Sequence, residues 1–212
     1  ILKAGRHLLS LINDVLDLAK IESGKVELSL EPVRLFNVMT DCRHLIQPLA
    51  ASRGITLNFG DFSSISLFAD RVRIKQVVLN LLSNAVKYNR EGGSITVQLT
   101  TKKNDATIEL AVEDDGPGIP AEYRERVFDR FVRLPGTHGD GCGLGMAIVR
   151  EIAGVHQARA TVDDATVGTM RRRCMRGICA SLTGLMCDVH PATSNSYMPR
   201  PWVAMRTTLR RV

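Results

Sequence analysis

Hydrophobic positions along the chain switch between helical spacing and strict alternation. Residues 1–22 carry apolar side chains three and four positions apart, which predicts a helix whose broad apolar stripe needs a partner helix. Ser23-Gly24 ends this helix. Residues 26–30 then alternate apolar and polar side chains, which predicts a half-buried strand. The apolar stripe of the first helix contains Leu8, Ile12, Val15 and Ala19.

The same two spacings continue along most of the remaining chain. Asp70 can cap a long helix, whereas Pro48 should disturb the last turn of the helix that contains it. Because helices and strands mix without a strict βαβ order, the pattern predicts an α+β fold, a two-layer α/β sandwich with one open face, preceded by a bundle helix. The further predicted elements are a helix from Leu35 up to Gly54, helices over 70–89 and 144–154, and strands over 55–59, 95–99 and 108–112.

Charge is distributed unevenly along the chain, whose net charge is +6. Residues 170–212 hold eight Arg, one Asp and neither Lys nor Glu, so they carry +7, and residues 1–169 carry −1. The basic character therefore gives no support for nucleic-acid binding by the folded part. Since residues 170–212 show no sustained period, we expect a poorly ordered tail, or one foreign to the domain. The predicted organisation is a partial bundle helix over 1–24, a domain over 25–169 and this tail.

The overall composition excludes several classes of protein. With 44% hydrophobic and 24% charged side chains among 212 residues, the chain can bury a core, which excludes a disordered or collagen-like protein. No apolar run approaches the ~18 residues that a membrane-spanning helix needs. Five Cys at irregular spacing indicate free thiols in a reducing compartment. We therefore expect a cytoplasmic location.

The helix after Asp70 carries a polar stripe. Asn80, Asn84, Lys87 and Tyr88 fall at i, i+4, i+7 and i+8, so they share one face of the helix. An amide oxygen suits a hard cation and a Lys suits phosphate. Mg²⁺ takes few protein ligands beside substrate phosphates, so one Asn oxygen can suffice. The stripe predicts a site for Mg²⁺ and phosphate, although a solvated polar face would explain any one of these residues alone.

Two glycine-containing loops carry further candidate chemistry. Asp114 directly follows a strand, where a carboxylate can accept a hydrogen bond from an exocyclic amine, and the glycines after it let the backbone lie close against a planar ring. Residues 139–145 alternate glycine with other residues before a helix, which exposes backbone N–H groups to an anion. Their spacing fits neither the P-loop nor the dinucleotide-binding fingerprint.

A long segment between these loops, rich in glycine, proline and charge, is typical of a functional lid. Phe128 and Phe131 are expected to anchor it by burying two rings. Arg130 or Arg133 can then reach a terminal phosphate as a fork-shaped donor.

Taken in order, these motifs resemble the N, G1, F and G2 boxes of sensor histidine kinases, whose ATP-binding domain has the Bergerat fold shared with gyrase-type ATPases. The resemblance covers about residues 25–169, and residues 5–24 resemble the second helix of the family's dimerisation and phosphotransfer domain. The family's acceptor-histidine motif is absent, and we expect it upstream of Ile1. The motifs are Asn80-x3-Asn84-x2-Lys87-Tyr88, Asp114-x-Gly116-x-Gly118-Ile119, Phe128-x2-Phe131-x-Arg133 and Gly141-x-Gly143-Leu144-Gly145-Met146.

The resemblance implies a role for each matching residue. Asn84 would ligate Mg²⁺, Lys87 would contact the phosphates and Tyr88 would lie near the nucleotide. Asn80 matches a position associated with the phosphotransfer step, and Arg133 matches one that approaches the γ-phosphate, so both would be catalytic as well as nucleotide-binding. Asp114 would hold the adenine amine. The remaining nucleotide-binding positions are Gly116, Gly118, Ile119, Phe128, Gly141, Gly143, Leu144, Gly145 and Met146.

The resemblance also implies partners and leaves alternatives open. ATP and Mg²⁺ would be the cofactors, a second copy would pair through the helical bundle, and a response regulator receiver domain would be the protein partner. The module would then be cytoplasmic by itself or as part of a membrane-bound sensor. His7 has no neighbouring carboxylate, so we expect the isolated chain not to phosphorylate itself. The alternatives are a nucleotide-binding dimerisation or regulatory module without kinase activity, and a gyrase-like ATPase.

Overall fold

The structure, a computed structural model, describes Ile12 and residues 28–63, 65–101, 107–135, 142–164 and 178–189. Apart from Ile12, which is helical, the predicted bundle helix over 1–24 lies outside the described residues, and so does most of the tail. No helix among the described residues is long and apolar enough to cross a membrane.

Three α-helices and seven strands form the described part of the chain. Two short 3-10 helices, Ala121–Tyr123 and Arg126–Phe128, follow the fifth strand. The helices are α1 (Leu35–Ala51), α2 (Arg71–Tyr88) and α3 (Gly145–Val155). The strands are β1 (Leu30–Arg34), β2 (Thr56–Phe59), β3 (Ile65–Asp70), β4 (Ser94–Thr101), β5 (Thr107–Asp114), β6 (Arg159–Asp164) and β7 (Ile178–Val189).

The strands form one sheet in the order β1-β3-β7-β5-β4-β2. The β2–β4 pair is parallel and the other pairs are antiparallel. One edge of β7 pairs with β5, and its other edge pairs with β6 and then with β3. In β4 the buried Ile95 and Val97 alternate with the less buried Thr96 and Gln98, as expected when helices cover a single face. The predicted two-layer α/β sandwich is therefore confirmed.

Helix α2 lies between α1 and α3 and buries an apolar stripe against them and the sheet. Asp70 caps it as predicted, because its Oδ1 accepts the backbone N–H of Arg73 over 3.1 Å. Its Oδ2 also accepts the N–H of Ser29 over 3.2 Å, which ties the segment before β1 to this cap. The buried stripe of α2 consists of Ile74, Val77, Val78, Leu81, Leu82, Ala85 and Val86.

Two predicted element boundaries are wrong, and one strand was not predicted. The predicted strand over 26–30 is wrong at Leu28 and Ser29, which precede β1. Strand β1 begins at Leu30 and contains Pro32, which is tolerated because β1 is an edge strand. Strand β3 was not predicted, because Phe68 interrupts its alternation with a ring that is 52% exposed. Helix α1 continues through the exposed Pro48 and ends at Ala51, three residues before the predicted end at Gly54.

The expectation of a poorly ordered tail is wrong for residues 178–189. They form β7, in the interior of the sheet. The register of β7 against β5 shifts between Leu182 and Leu185, with Gly184 in the shifted segment. A bulge of this kind changes the parity of a strand, so a single alternating period does not run through the sequence of β7. The other residues of the predicted tail lie outside the described part of the chain.

Candidate nucleotide-binding site

The polar stripe of α2 meets the first residue of α3. Asn80 donates a hydrogen bond through Nδ2 to the carbonyl oxygen of Gly145 over 3.3 Å. A Cβ atom at Gly145 would lie 3.8 Å from Nδ2 of Asn84 and 3.9 Å from Oδ1 of Asn80. The beginning of α3, with its free N–H groups, is therefore adjacent to two amide side chains. Such a pairing can bind phosphate through backbone N–H groups and a cation through amide oxygen.

Asp114 ends β5 and is 6% exposed. Its Oδ1 accepts the backbone N–H of Gly116 over 2.7 Å, so the carboxylate fixes the loop that follows it. A Cβ atom at Gly116 would lie 2.7 Å from both Oδ1 of Asp114 and the carbonyl oxygen of Tyr88, so only glycine fits. This close approach brings the loop after β5 against the end of α2. An ionised carboxylate accepts several hydrogen bonds at once, so Asp114 also suits an exocyclic amine.

Lys87 and Tyr88 interact with each other at the last turn of α2. The Nζ atom of Lys87 lies 5.0 Å from the centroid of the Tyr88 ring, within the range of a cation–π contact. Both side chains are partly buried. The ammonium group is therefore kept on the side of α2 that also carries Asn84.

The lid segment has one buried and one exposed phenylalanine. Phe128 is 3% exposed, as predicted, but Phe131 is 65% exposed, so the expectation that both rings anchor the lid is wrong. Phe131 has φ 61°, and its N–H donates to the carbonyl oxygen of Gly143 over 3.0 Å, so this backbone turns the ring away from the core. A Cβ atom at Gly143, which has φ 73°, would lie 2.8 Å from the carbonyl oxygen of Val132.

The other predicted nucleotide-binding residues differ in their burial. Leu144 is buried at the start of α3, and Met146 and Ile119 pack partly buried against the core. Gly118 is buried and has φ 74°. Arg133 is exposed at the edge of the described lid, and Gly141 lies outside the described residues.

No cluster of three or more His, Cys, Asp or Glu side chains that could hold a metal exists among the described residues. A divalent cation at this site would depend on amide oxygen, such as that of Asn84, together with phosphate and water oxygens. Mg²⁺ is commonly bound in this way beside substrate phosphates, so the donor set fits Mg²⁺.

Comparison with known proteins identifies the family. Residues 69–177 match the family model described as Histidine kinase-, DNA gyrase B-, and HSP90-like ATPase. The chain belongs to this ATPase family. Histidine protein kinase DivJ of Caulobacter vibrioides is 35% identical over 165 residues, which make up 76% of this chain and 27% of DivJ. This ATPase-family chain spans only 12% to 33% of the length of such curated relatives.

Solved structures of histidine kinases share the fold of this ATPase-family chain. Full-length ShkA, solved in complex with AMPPNP, matches with a TM-score of 0.75 and 29% identity, over 89% of this chain and 38% of ShkA. ThkA in complex with the response regulator protein TrrA matches with a TM-score of 0.64 and 23% identity, over 86% of this chain and 49% of that one. The ATP-binding domain is therefore of the sensor histidine kinase type, with the Bergerat fold.

Sequence reasoning missed a group of residues that hold the site of this ATPase-family chain together. Asp115 accepts three hydrogen bonds at Oδ2, from the N–H of Ser94 over 2.8 Å, the hydroxyl of Ser94 over 3.0 Å and the guanidinium of Arg90 over 3.2 Å. These bonds fasten the loop after Asp114 to the turn before β4. The Asp115-Gly116 pair is typical of a turn, and it was the one sequence signal that could have indicated this role of Asp115.

Proposed function

We propose that the chain is the ATP-binding catalytic module of a two-component sensor histidine kinase, which transfers the ATP γ-phosphate to a histidine upstream of Ile1. One arrangement carries this proposal. Asn80 and Asn84 lie against the first residue of α3, and the buried Asp114 lies beside the last residue of the same helix, α2. A group suited to an amine and groups suited to phosphate thus lie along the same helix, as binding of a nucleotide requires.

In the proposed site each side chain has one task. Asp114 accepts the adenine amine, and Lys87 neutralises phosphate charge. Asn84 supplies the protein oxygen for Mg²⁺, which when bound would offset the charge that develops on the transferred phosphoryl group. Asn80 orients the reacting groups from its position against Gly145, and Arg133 approaches the γ-phosphate from the lid.

The phosphate side of the proposed site is formed by the beginning of α3. In this proposal the backbone N–H groups of Gly143, Leu144, Gly145 and Met146 bind phosphate, and Gly141 precedes these residues in the sequence. On the base side, Gly116, Gly118 and Ile119 line the pocket. The buried Phe128 holds the start of the lid in place.

The two alternative functions predict different chemistry. A gyrase-like ATPase hydrolyses ATP without an acceptor, whereas a regulatory module binds ATP and transfers nothing. Several relatives carry histidine kinase names, which supports the kinase over the gyrase-like ATPase. The proposed partners are a second copy through the helical bundle and a response regulator receiver domain, and the proposed location is cytoplasmic. ThkA, solved with its response regulator, supports the receiver-domain proposal.

Labelling with γ-³²P-ATP tests this proposal. The purified chain should bind Mg-ATP without labelling itself, because His7 has no neighbouring carboxylate to orient it. A separate helical fragment that bears a family acceptor histidine should gain acid-labile, base-stable phosphate in trans. Asn84→Ala should abolish this label, and Ser83→Ala, at an exposed neighbouring position, should retain it. Steady ATP hydrolysis without acceptor would instead identify an ATPase, and binding without transfer would identify a regulatory module.

A further inference from the structure

The end of α2 is held by a side chain from outside the four motifs. Arg53 lies in the turn between α1 and β2 and is partly buried. Its Nη1 donates to the carbonyl oxygens of Val86 and Lys87, the latter over 2.8 Å. Its Nη2 donates to the carbonyl oxygen of Asn89 over 2.9 Å. One guanidinium therefore binds three carbonyl groups where the helix ends.

These carbonyl groups need donors from elsewhere. The last four carbonyls of a helix have no partner within it, and many helices solve this with a left-handed glycine. Helix α2 instead passes into extended backbone at Asn89, with φ −70° and ψ 159°. The planar guanidinium of Arg53 supplies several donors in fixed geometry, and its charge complements the negative end of the helix dipole.

Arg53 is itself fixed to the segment that follows α2. The N–H of Gly92 donates to the carbonyl oxygen of Arg53 over 3.1 Å, and the N–H of Thr56 donates to the carbonyl oxygen of Gly93 over 2.9 Å. Each of the two segments, the one after α1 and the one after α2, thus donates one backbone hydrogen bond to the other. Movement of the Arg53 side chain would therefore shift the helix end relative to β2 and β4.

The last turns of α2 carry Lys87 and Asn84, which contact the phosphates and the metal in the proposed site. Asp114, by contrast, belongs to β5 and is held by its own bond to Gly116. We propose that Arg53 is a positioning residue that places Lys87 and Asn84 for Mg-ATP, a role that rests on the nucleotide-binding function proposed above. Loss of Arg53 should then weaken binding of the phosphates and metal more than binding of the base, because the loop after β5, although it contacts Tyr88, keeps its own bonds from Asp115 to Ser94.

The test compares Mg-ATP with adenosine on the full chain. In Arg53→Met we expect Mg-ATP affinity to fall by about tenfold, since small misplacements of binding groups are costly, while adenosine affinity changes by less than about twofold. Affinities are measured by competition against a fluorescent ATP analogue. Arg53→Lys should recover part of the loss, because one ammonium can reach some of the carbonyls but lacks the fork. Arg71→Met is the matched control, at the opposite end of α2, where an exposed Arg pairs with Asp41 over 3.3 Å.

Each outcome decides whether Arg53 positions the phosphate-binding side chains or only caps the end of α2. A selective loss of Mg-ATP affinity with partial recovery by Lys supports the positioning role. Unchanged Mg-ATP affinity, or an equal loss for both ligands, overturns it and leaves Arg53 as a structural cap. If Arg53→Met does not fold, the ratio of the two affinities in Arg53→Lys decides. If the parent chain itself fails to bind Mg-ATP, the proposed function is wrong, and this result is distinct from a failure of the Arg53 proposal.

Discussion

The backbone N–H of Asp70 donates a hydrogen bond to Nε2 of His156 over 3.1 Å, although the two residues are far apart in the sequence. The Nδ1 atom of the same ring lies 2.9 Å from the carbonyl oxygen of Ile152, so Nδ1 carries the proton and donates it there. The ring therefore joins the start of α2 to the end of α3. Both helices contribute to the candidate site, so this bond helps to fix their relative position.

Replacement of His156 tests the strength of this connection. His156→Leu retains apolar volume but leaves the N–H of Asp70 without its acceptor, and we expect a loss of about 1–3 kcal/mol in the free energy of unfolding. Urea denaturation followed by circular dichroism measures it. His156→Gln, whose side-chain oxygen can accept a hydrogen bond, should recover part of the loss. His44→Leu, at an exposed position of α1, should leave the midpoint nearly unchanged.

The metal role of Asn84 predicts a difference between two forms of the nucleotide. In Asn84→Ala we expect the affinity for Mg-ATP to fall at least about tenfold, or about 1.4 kcal/mol, with a much smaller change for ATP in the presence of a chelator. Isothermal titration calorimetry with and without Mg²⁺ measures both. Ser83→Ala provides the neighbouring exposed control. An equal loss for the two forms would contradict the metal role.

The base-binding role of Asp114 predicts a change in specificity. Asp114→Asn keeps the volume and an oxygen that can accept the N–H of Gly116, so the loop after β5 should stay in place. The amide nitrogen, however, cannot accept a hydrogen bond from the adenine amine. We expect the preference for ATP over GTP to shrink by about tenfold or more. Competition binding with both nucleotides checks this, and a preference equal to that of the parent would exclude Asp114 as the base-reading group.

Glu113 gives stability a pH dependence of predictable sign. Partial burial raises the pKa of its carboxyl group above the usual value, so the folded state favours the protonated form. The contribution of the protonated Glu113 to the free energy of unfolding is complete below the unfolded-state pKa of about 4.3. It is lost as the pH rises through the folded-state pKa. Glu113→Gln should therefore melt at a higher temperature than the parent at pH 7. The melting temperatures of the two proteins should become nearly equal near pH 4. Thermal denaturation at pH 7 and at pH 4 measures the difference between these melting temperatures.

Local patterns were sufficient to predict the centre of the fold. Helix α2 follows from its apolar spacing and its Asp70 cap, because both signals lie within the helix. The proximity of Asn80 and Gly145 was expected only because the order of the motifs resembles that of histidine kinases. No local sequence pattern predicts a contact between residues so distant in the sequence. Strand β7 was missed because a register shift interrupts its alternation.

Long-range contacts of single side chains left no readable signal. Arg53 and His156 bind backbone atoms of α2 and of the residues at its two ends. Such contacts to backbone atoms do not depend on the side chains of the partner residues, so no sequence pattern predicts them. Phe131 was expected to be buried because it is aromatic, but its left-handed backbone directs the ring outward. The sequence therefore did not predict which groups these side chains contact or whether they are buried.

The interior place of β7 has a consequence for the time at which the protein can fold. In the described part of the chain, β3 and β6 are connected to β5 within the sheet solely through β7. A ribosome that adds about 5–20 residues per second needs about 4 to 15 s to proceed from Asp114 to Val189. During that interval β4 and β5 already exist with an unpaired edge, which is open to pairing with other chains. The nascent protein should therefore depend on chaperones most strongly just before β7 is made.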